Sequence, residues 1–292
     1  SSNPGIMKGI WQLCICLLTA GLLSGTVLEA QSLPVIPQPQ EIQWLQGGFT
    51  LSTLKTLPSY WPDYADTVAF RQLDEELGQY GIQLRRGSLK EARLLAGLWT
   101  QIEAFPEIGE ATDFIRDPRI GDEGYHLIIT SQHILLLAQT NTGLFYGIQT
   151  LRQLLRAYGH SGQLPCLRIT DFPAFEFRGV MDDISRGPIP NLAFLKRQIR
   201  RLSELKINYL NFNIEHVVAI PGQEGFAPPD ALTLGEWAML SEYAGRHHLH
   251  LVGGFQSLGH AGNILAHEDY RALGQTEDMF KPADPDVQAF LL

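Results

Sequence analysis

Three short segments carry side chains able to do acid–base or binding chemistry: Met181-Asp182-Asp183-Ile184-Ser185-Arg186-Gly187, Asn213-Ile214-Glu215-His216 and Phe255-Gln256-Ser257-Leu258-Gly259-His260. Each closes an apolar run with strand character. A carboxylate set near an imidazole can move protons, because each tunes the other's affinity for them. Taken singly, each residue also has an ordinary use. Asp182 and Asp183 alternate across their strand, so one points away from the other and can cap a helix. Glu215 can be a solvated loop carboxylate. Gly259 permits a tight turn that aims the His260 imidazole. His247, His248 and His250 are dense enough to evoke a metal site, yet they flank a strand start without an acidic partner, and the expectation is no metal. Three polar segments delivered to one edge point to a polar binding site.

The elements that must position them follow from periodicity. From Phe177 onward the chain alternates strand and helix. Phe177–Ile184, Tyr209–Ile214 and His250–Phe255 read as strands, 192–205 and 234–246 as helices, and a further helix starts at Pro285. Such units predict a parallel sheet, and no glycine-rich phosphate loop follows any strand, so a (β/α)8 TIM-type barrel is expected over a doubly wound sheet. Active-site groups of such barrels gather at the C-terminal strand ends, where the three segments lie. Residues 166–292 fall short of the about 250 residues of a complete barrel. The expectation is therefore an α/β chain holding only the first strand–helix units of the barrel.

Upstream, residues 31–165 read as a smaller α/β domain. Residues 41–60 suggest strands and 67–80 a helix ended by Gly81. Leu94–Leu98 is a buried strand, 124–129 and 134–138 form a hairpin, and 144–157 is a helix stopped by Gly159. Nothing there has catalytic spacing.

The sequence has 292 residues, 45% of them apolar, and a formal charge of −9. At about 150 residues per domain this allows two units, and the acidic balance leaves no basic face for nucleic acid. Lys196, Arg197, Arg200 and Arg201 fall at helical spacing and read as one solvated face. Met7-Lys8, the apolar run from Ile10 to Leu23 and Leu28-Glu29-Ala30 have the pattern of an export signal, shorter than a membrane span. Residues 1–30 are then upstream residues and signal peptide, the product is exported (periplasmic or secreted), and no membrane span remains after cleavage. Cys14 and Cys16 leave with the signal, so Cys166 has no disulfide partner and reads as a buried thiol.

The stretch Ile169-Thr170-Asp171-Phe172-Pro173-Ala174-Phe175-Glu176-Phe177-Arg178-Gly179 resembles the barrel entry of the family 20 glycoside hydrolases, the β-N-acetylhexosaminidases. Glu123-Gly124-Tyr125-His126-Leu127 and Gly143-Leu144-Phe145-Tyr146-Gly147 resemble the small domain that precedes that barrel. Gln256-Ser257-Leu258-Gly259-His260 is similar to the hexosaminidase D-like branch. The resemblance implies removal of terminal β-linked N-acetylhexosamine from oligosaccharides or glycoconjugates, without a cofactor. The substrate's own acetamido oxygen attacks, with overall retention, and the handling of leaving group and nucleophile departs from the two-carboxylate scheme. It also implies an adjacent Asp–Glu pair, which has no suitable counterpart here: Asp74-Glu75 falls in a small-domain helix, so residues 31–292 by themselves are expected to be an inactive fragment of such an enzyme.

By the same resemblance, Arg178 would hold sugar hydroxyls with its fork of donors. It falls early in its strand, and an interior ion pair is the alternative. His260 would sit beside the catalytic acid, and Glu215 (or His216, on a one-residue shift) would fall at the position where the carboxylate paired with it is expected. Gln256 would replace a carboxylate in the substrate site. Two other readings compete: a family 84-like O-linked N-acetylglucosamine hydrolase, and a non-catalytic carbohydrate-binding protein.

Overall fold

A computed structural model describes residues 32–58, 68–102 and 117–291. The proposed export signal lies outside them. Among the described residues no helix is long and apolar enough to cross a membrane.

The first half is a five-stranded sheet. Its strands are β1 (Glu41–Thr50), β4 (Leu94–Leu98), β5 (Tyr125–Ile129), β6 (Ile134–Ala138) and β7 (Gln163–Asp171), in the order β1-β7-β5-β6-β4; β2 (Thr56–Pro58) and β3 (Arg85–Gly87) pair separately. The expected hairpin is β5–β6, antiparallel from Tyr125↔Ala138 to Ile129↔Ile134. Helices α1 (Val68–Gly78) and α2 (Asn141–Tyr158) complete this half. Thr140 caps α2, its hydroxyl accepting from the Thr142 and Gly143 amides at 3.2 Å. At Gly147 an added Cβ would collide with Leu136 and the Tyr125 ring, so this glycine lets α2 lie directly on the sheet.

The domain boundary needs correction. Strand β7 runs through Asp171 and pairs on both sides, with β1 and with β5, so a border at 165/166 would cut a central strand. Pro165 lies inside this strand. This residue pairs only with β1, at Gly48, beyond the stretch 167–171 that meets β5, so its missing N–H breaks no ladder on that side.

The second half is a three-stranded parallel sheet, β12-β9-β8, formed by β8 (Gly179–Asp183), β9 (Tyr209–Asn213) and β12 (His250–Gly254); β10 (Val218–Ala219) and β11 (Leu232–Thr233) make a small parallel pair beside it. Helices α3 (Leu192–Glu204) and α4 (Leu234–Gly245) connect the three strands. Asn191 caps α3 through the Phe194 amide at 2.9 Å, and Thr233 with Glu236 forms a capping box on α4. Leu195 and Ile199 of α3 and Leu240 and Ala244 of α4 bury against Leu210 and Phe212. Both helices therefore cover the same sheet face. The other face carries Met181, 66% exposed, and Val252, 40% exposed. A doubly wound sheet carries helices on both faces, whereas here both helices lie on one.

Candidate active-site rim

Parallel pairing puts the three strand ends level. Asp183, Asn213 and Gly254 are neighbours in register, so the polar segments found in the sequence emerge along one edge. Asp182 faces the helices, where Gln198 donates to it at 2.7 Å; Asp183, on the opposite side, serves the rim.

Asp183 accepts from the Ser185 amide at 3.0 Å and hydroxyl at 2.6 Å, and from Arg186 Nε at 3.0 Å. The Ser185 hydroxyl, aided by the other donors, holds the Asp183 carboxyl below its usual range. Asn213 Nδ2 reaches the Ser185 hydroxyl at 3.4 Å and donates to Glu215 Oε1 at 2.9 Å. Arg186 Nη2 lies 3.7 Å from the same Glu215 oxygen. Glu215 is buried and left-handed at φ 46°, a conformation that costs a non-glycine residue of order 1 kcal/mol and is retained where surroundings enforce it. The arrangement is a buried carboxylate held between an amide and a half-free guanidinium.

His216 turns elsewhere. Asn263 Nδ2 donates to its Nδ1 at 3.2 Å, and burial together with His267 pushes its pKa down against the pull of Glu215. Phe226, from the segment after β9, packs with Ala261, Ile264, Leu265, Phe280 and Val287 from the segment after β12, which gives the rim a second small core. His260 stands beside buried Ala261, whose amide donates to the Asp278 carbonyl at 3.1 Å. The left-handed residue of this turn is His260 itself, at φ 58°, rather than Gly259. Its imidazole is exposed, Gln256 is half-buried, and among the described residues neither makes a hydrogen bond or ion pair.

Arg178 is not on this rim. It precedes β8 at the opposite, N-terminal edge, where it pairs with Glu123 and donates from Nε to the Lys206 carbonyl at 2.7 Å and from Nη1 to the Phe175 carbonyl at 2.7 Å. The ion-pair alternative describes it, and its donors are spent. The arginine that reaches the rim is Arg186, 57% exposed in its side chain and passed over in the sequence because no apolar period frames it. Its signal was position: eight residues after Arg178, directly past the strand end. Asp74 and Glu75 lie exposed on α1, where Glu75 binds Arg200. A second Asp–Glu dipeptide, Asp122-Glu123, sits under β8 and supplies the partner of Arg178.

The histidine group is structural. His247 Nδ1 meets the Tyr243 carbonyl at 2.8 Å, His248 Nδ1 meets the Thr142 hydroxyl at 2.9 Å, and His250 stacks on Tyr209. Cys166 is buried, which pushes its thiol pKa up.

Residues 32–172 match the model of glycosyl hydrolase family 20, domain 2. A beta-hexosaminidase of Vibrio furnissii is 25% identical over 254 residues, 84% of this chain and 37% of that protein. A beta-hexosaminidase of Akkermansia muciniphila is 35% identical over 98 residues, covering 33% of this chain and 20% of the relative. Among solved structures, a Flavobacterium johnsoniae chitobiase superposes with a TM-score of 0.70 at 21% identity, over 89% of this chain and 41% of the other. The GH20 beta-N-acetylhexosaminidase of Streptomyces coelicolor A3(2) gives 0.68 at 22% identity, over 88% and 55%. The chain thus spans well under two thirds of the relatives it matches.

Proposed function

We propose that the chain, whose residues 32–172 match the model of glycosyl hydrolase family 20, domain 2, belongs to that family, and that its strand-end rim is one side of a site that removes terminal β-linked N-acetylhexosamine from oligosaccharides or glycoconjugates. The observation that carries this reading is Glu215, a buried, left-handed carboxylate tied through Asn213 to the Asp183–Arg186 pair. Glu215 and His260 are the candidate catalytic residues of this edge. A carboxylate–imidazole pair raises or lowers a neighbouring acid's proton affinity, which is how a general acid stays protonated at rest. Arg186 takes the sugar-binding role first given to Arg178, since its guanidinium faces the site and keeps exposed donors. Gln256 offers an amide to the same region. No adjacent Asp–Glu pair lies on this rim among the described residues, so these side chains orient and tune rather than protonate the leaving oxygen.

The matches favour family 20 over the family 84 alternative. Within it we place the chain near the hexosaminidase D-like branch on the Gln256-to-His260 motif, and we read its strand–helix units as the start of a (β/α)8 barrel. The test compares an N-acetyl-β-glucosaminide with the matching plain β-glucoside, in binding and in hydrolysis. Preference for the first by 100-fold or more, lost in Glu215→Gln, is the expected result. Equal handling of the two sugars would overturn the assignment, because substrate assistance needs the acetamido oxygen. Export is a separate proposal, tested by N-terminal mass spectrometry of the secreted chain; a product that keeps Met7 would refute it.

A further inference from the structure

Each of the three parallel strands is gripped at its start by the five-stranded half. Below β8, Arg178 pairs with Glu123, whose second oxygen accepts from Asn208 Nδ2 at 3.2 Å. Below β9, Lys206 Nζ donates to Asp171 Oδ2 at 2.6 Å and to the Tyr125 phenol at 2.9 Å. The phenol gives its own proton to Asp171 at 2.8 Å, so it accepts from Thr150 at 2.6 Å. Below β12, His248 meets the Thr142 hydroxyl, lies against the Phe145 ring at 4.8 Å, and gives its carbonyl to the Tyr146 phenol at 3.4 Å.

Two of these anchors stand where a glycine is the usual choice. Lys206 (φ 61°) and His248 (φ 55°) are left-handed residues just past the ends of α3 and α4. Around them the amides fold back on the helix ends: Ile207 donates to Leu202 O at 3.0 Å and Leu249 to Ala244 O at 3.1 Å. Glycine fills this helix-ending position most easily, since a Cβ there is strained. A lysine and a histidine bear that strain while their side chains cross to the other half of the molecule.

We propose that the five-stranded half is a template for the rim: Glu123, Asp171 and Thr142 fix the starts of β8, β9 and β12, and thereby the level at which Asp183, Glu215 and Gly254 emerge. Arg178, Lys206 and His248 are positioning residues in this scheme. Four strand steps, about 13 Å at 3.3 Å each, separate the start of each strand from its rim end. The strands transmit it because they are in register throughout. Its relevance to catalysis rests on the sugar-site reading; the grip itself does not.

The test is amide hydrogen exchange, read by mass spectrometry, on the full chain and on Glu123→Ala and Glu123→Gln. Peptides covering 182–186 and 213–217 are expected to exchange about tenfold faster in Glu123→Ala, with the β5–β6 hairpin unchanged. If the alanine variant does not fold, the glutamine variant, which keeps shape and loses charge, carries the same expectation at a smaller factor. Faster exchange confined to 175–179 and 206–209, with the rim peptides at parent rates, would overturn the template. A parallel titration with N-acetylglucosamine is expected to show about tenfold weaker binding in the variants, although no rim residue has changed. A parent that binds no sugar would defeat the functional proposal alone, and the exchange comparison would still decide this one.

Discussion

The two edges of one three-stranded sheet have opposite characters. At the N-terminal edge Arg178 is spent on Glu123 and carbonyls, and Lys206 on Asp171 and Tyr125. At the C-terminal edge the same strands present groups with capacity left over, such as the exposed His260 and the half-free Arg186. The strained residues are shared evenly, Lys206 and His248 at one edge and Glu215 and His260 at the other. Strain below is offset by bonds already in place. Strain above is offset unevenly: Glu215 has Asn213 and Arg186, while His260 makes no hydrogen bond among the described residues.

The largest expected effect breaks the lower edge. Asp171→Ala leaves Lys206 as a buried unpaired charge, and removing one partner of such a pair costs about 3–5 kcal/mol. Burial already depresses the Lys206 pKa against the pull of Asp171, so the variant's lysine should shed its proton rather than remain charged. Urea unfolding should show the loss as a lower midpoint. The double variant Asp171→Ala/Lys206→Met should recover much of it, because no orphaned charge remains. A single variant as stable as the parent would remove the contrast between the edges.

Acid should act on the lower edge next. Burial, with His247 adding to it, holds the His248 pKa down at about 4, against about 6.5 in an unfolded chain. Between those values the unfolded chain binds more protons than the folded one. Stability conferred by this residue is complete above pH 6.5, falls as pH drops toward 4, and changes no further below that. At 1.36 kcal/mol per pH unit across that gap, the loss is about 3 kcal/mol. Buried His247 acts in the same sense, so the measurement is a difference: the urea midpoint of His248→Gln should depend less steeply on pH over this window than that of the parent. Parallel slopes would mean that His248 is not buried neutral.

How legible each edge was in the sequence follows from this contrast. The rim was readable because strand ends are set by local pattern: β8, β9 and β12 end at Asp183, Asn213 and Gly254, and one apolar residue later come Ser185, Glu215 and Gln256. The lower edge was not, because its partners lie far apart in the chain, Arg178 from Glu123 and Lys206 from Asp171 and Tyr125. No local period encodes such a pairing. Arg178 was therefore assigned to sugar when it belongs to Glu123, and the histidines before β12 read as a loose cluster when each has its own contact. The same blindness hid β7, whose proline argues against a central strand until the register shows only one neighbour at that point. Left-handed Glu215 and His260 also went unseen, since neither is a glycine and nothing in the sequence marks them.

The smallest effect is also the sharpest comparison, because His248 and His260 are the same residue type in nearly the same backbone conformation, φ 55° and 58°, at opposite edges. A glycine at either relieves left-handed strain worth about 1–2 kcal/mol and gives back about 0.4–1 kcal/mol through the freer unfolded chain. At His260 little else is lost, since the imidazole is exposed and makes no hydrogen bond among the described residues. His260→Gly should thus sit within about 1 kcal/mol of the parent, on the stabilising side, while binding of N-acetylglucosamine weakens. At His248 the glycine also forfeits the Thr142 hydrogen bond, about 1 kcal/mol, and the packing of an imidazole on Phe145. His248→Gly should accordingly be destabilising by about 1–2 kcal/mol. Opposite signs from one substitution at two matched residues would separate an edge built to hold from an edge built to bind. Equal signs in urea unfolding would mean that backbone strain alone governs both.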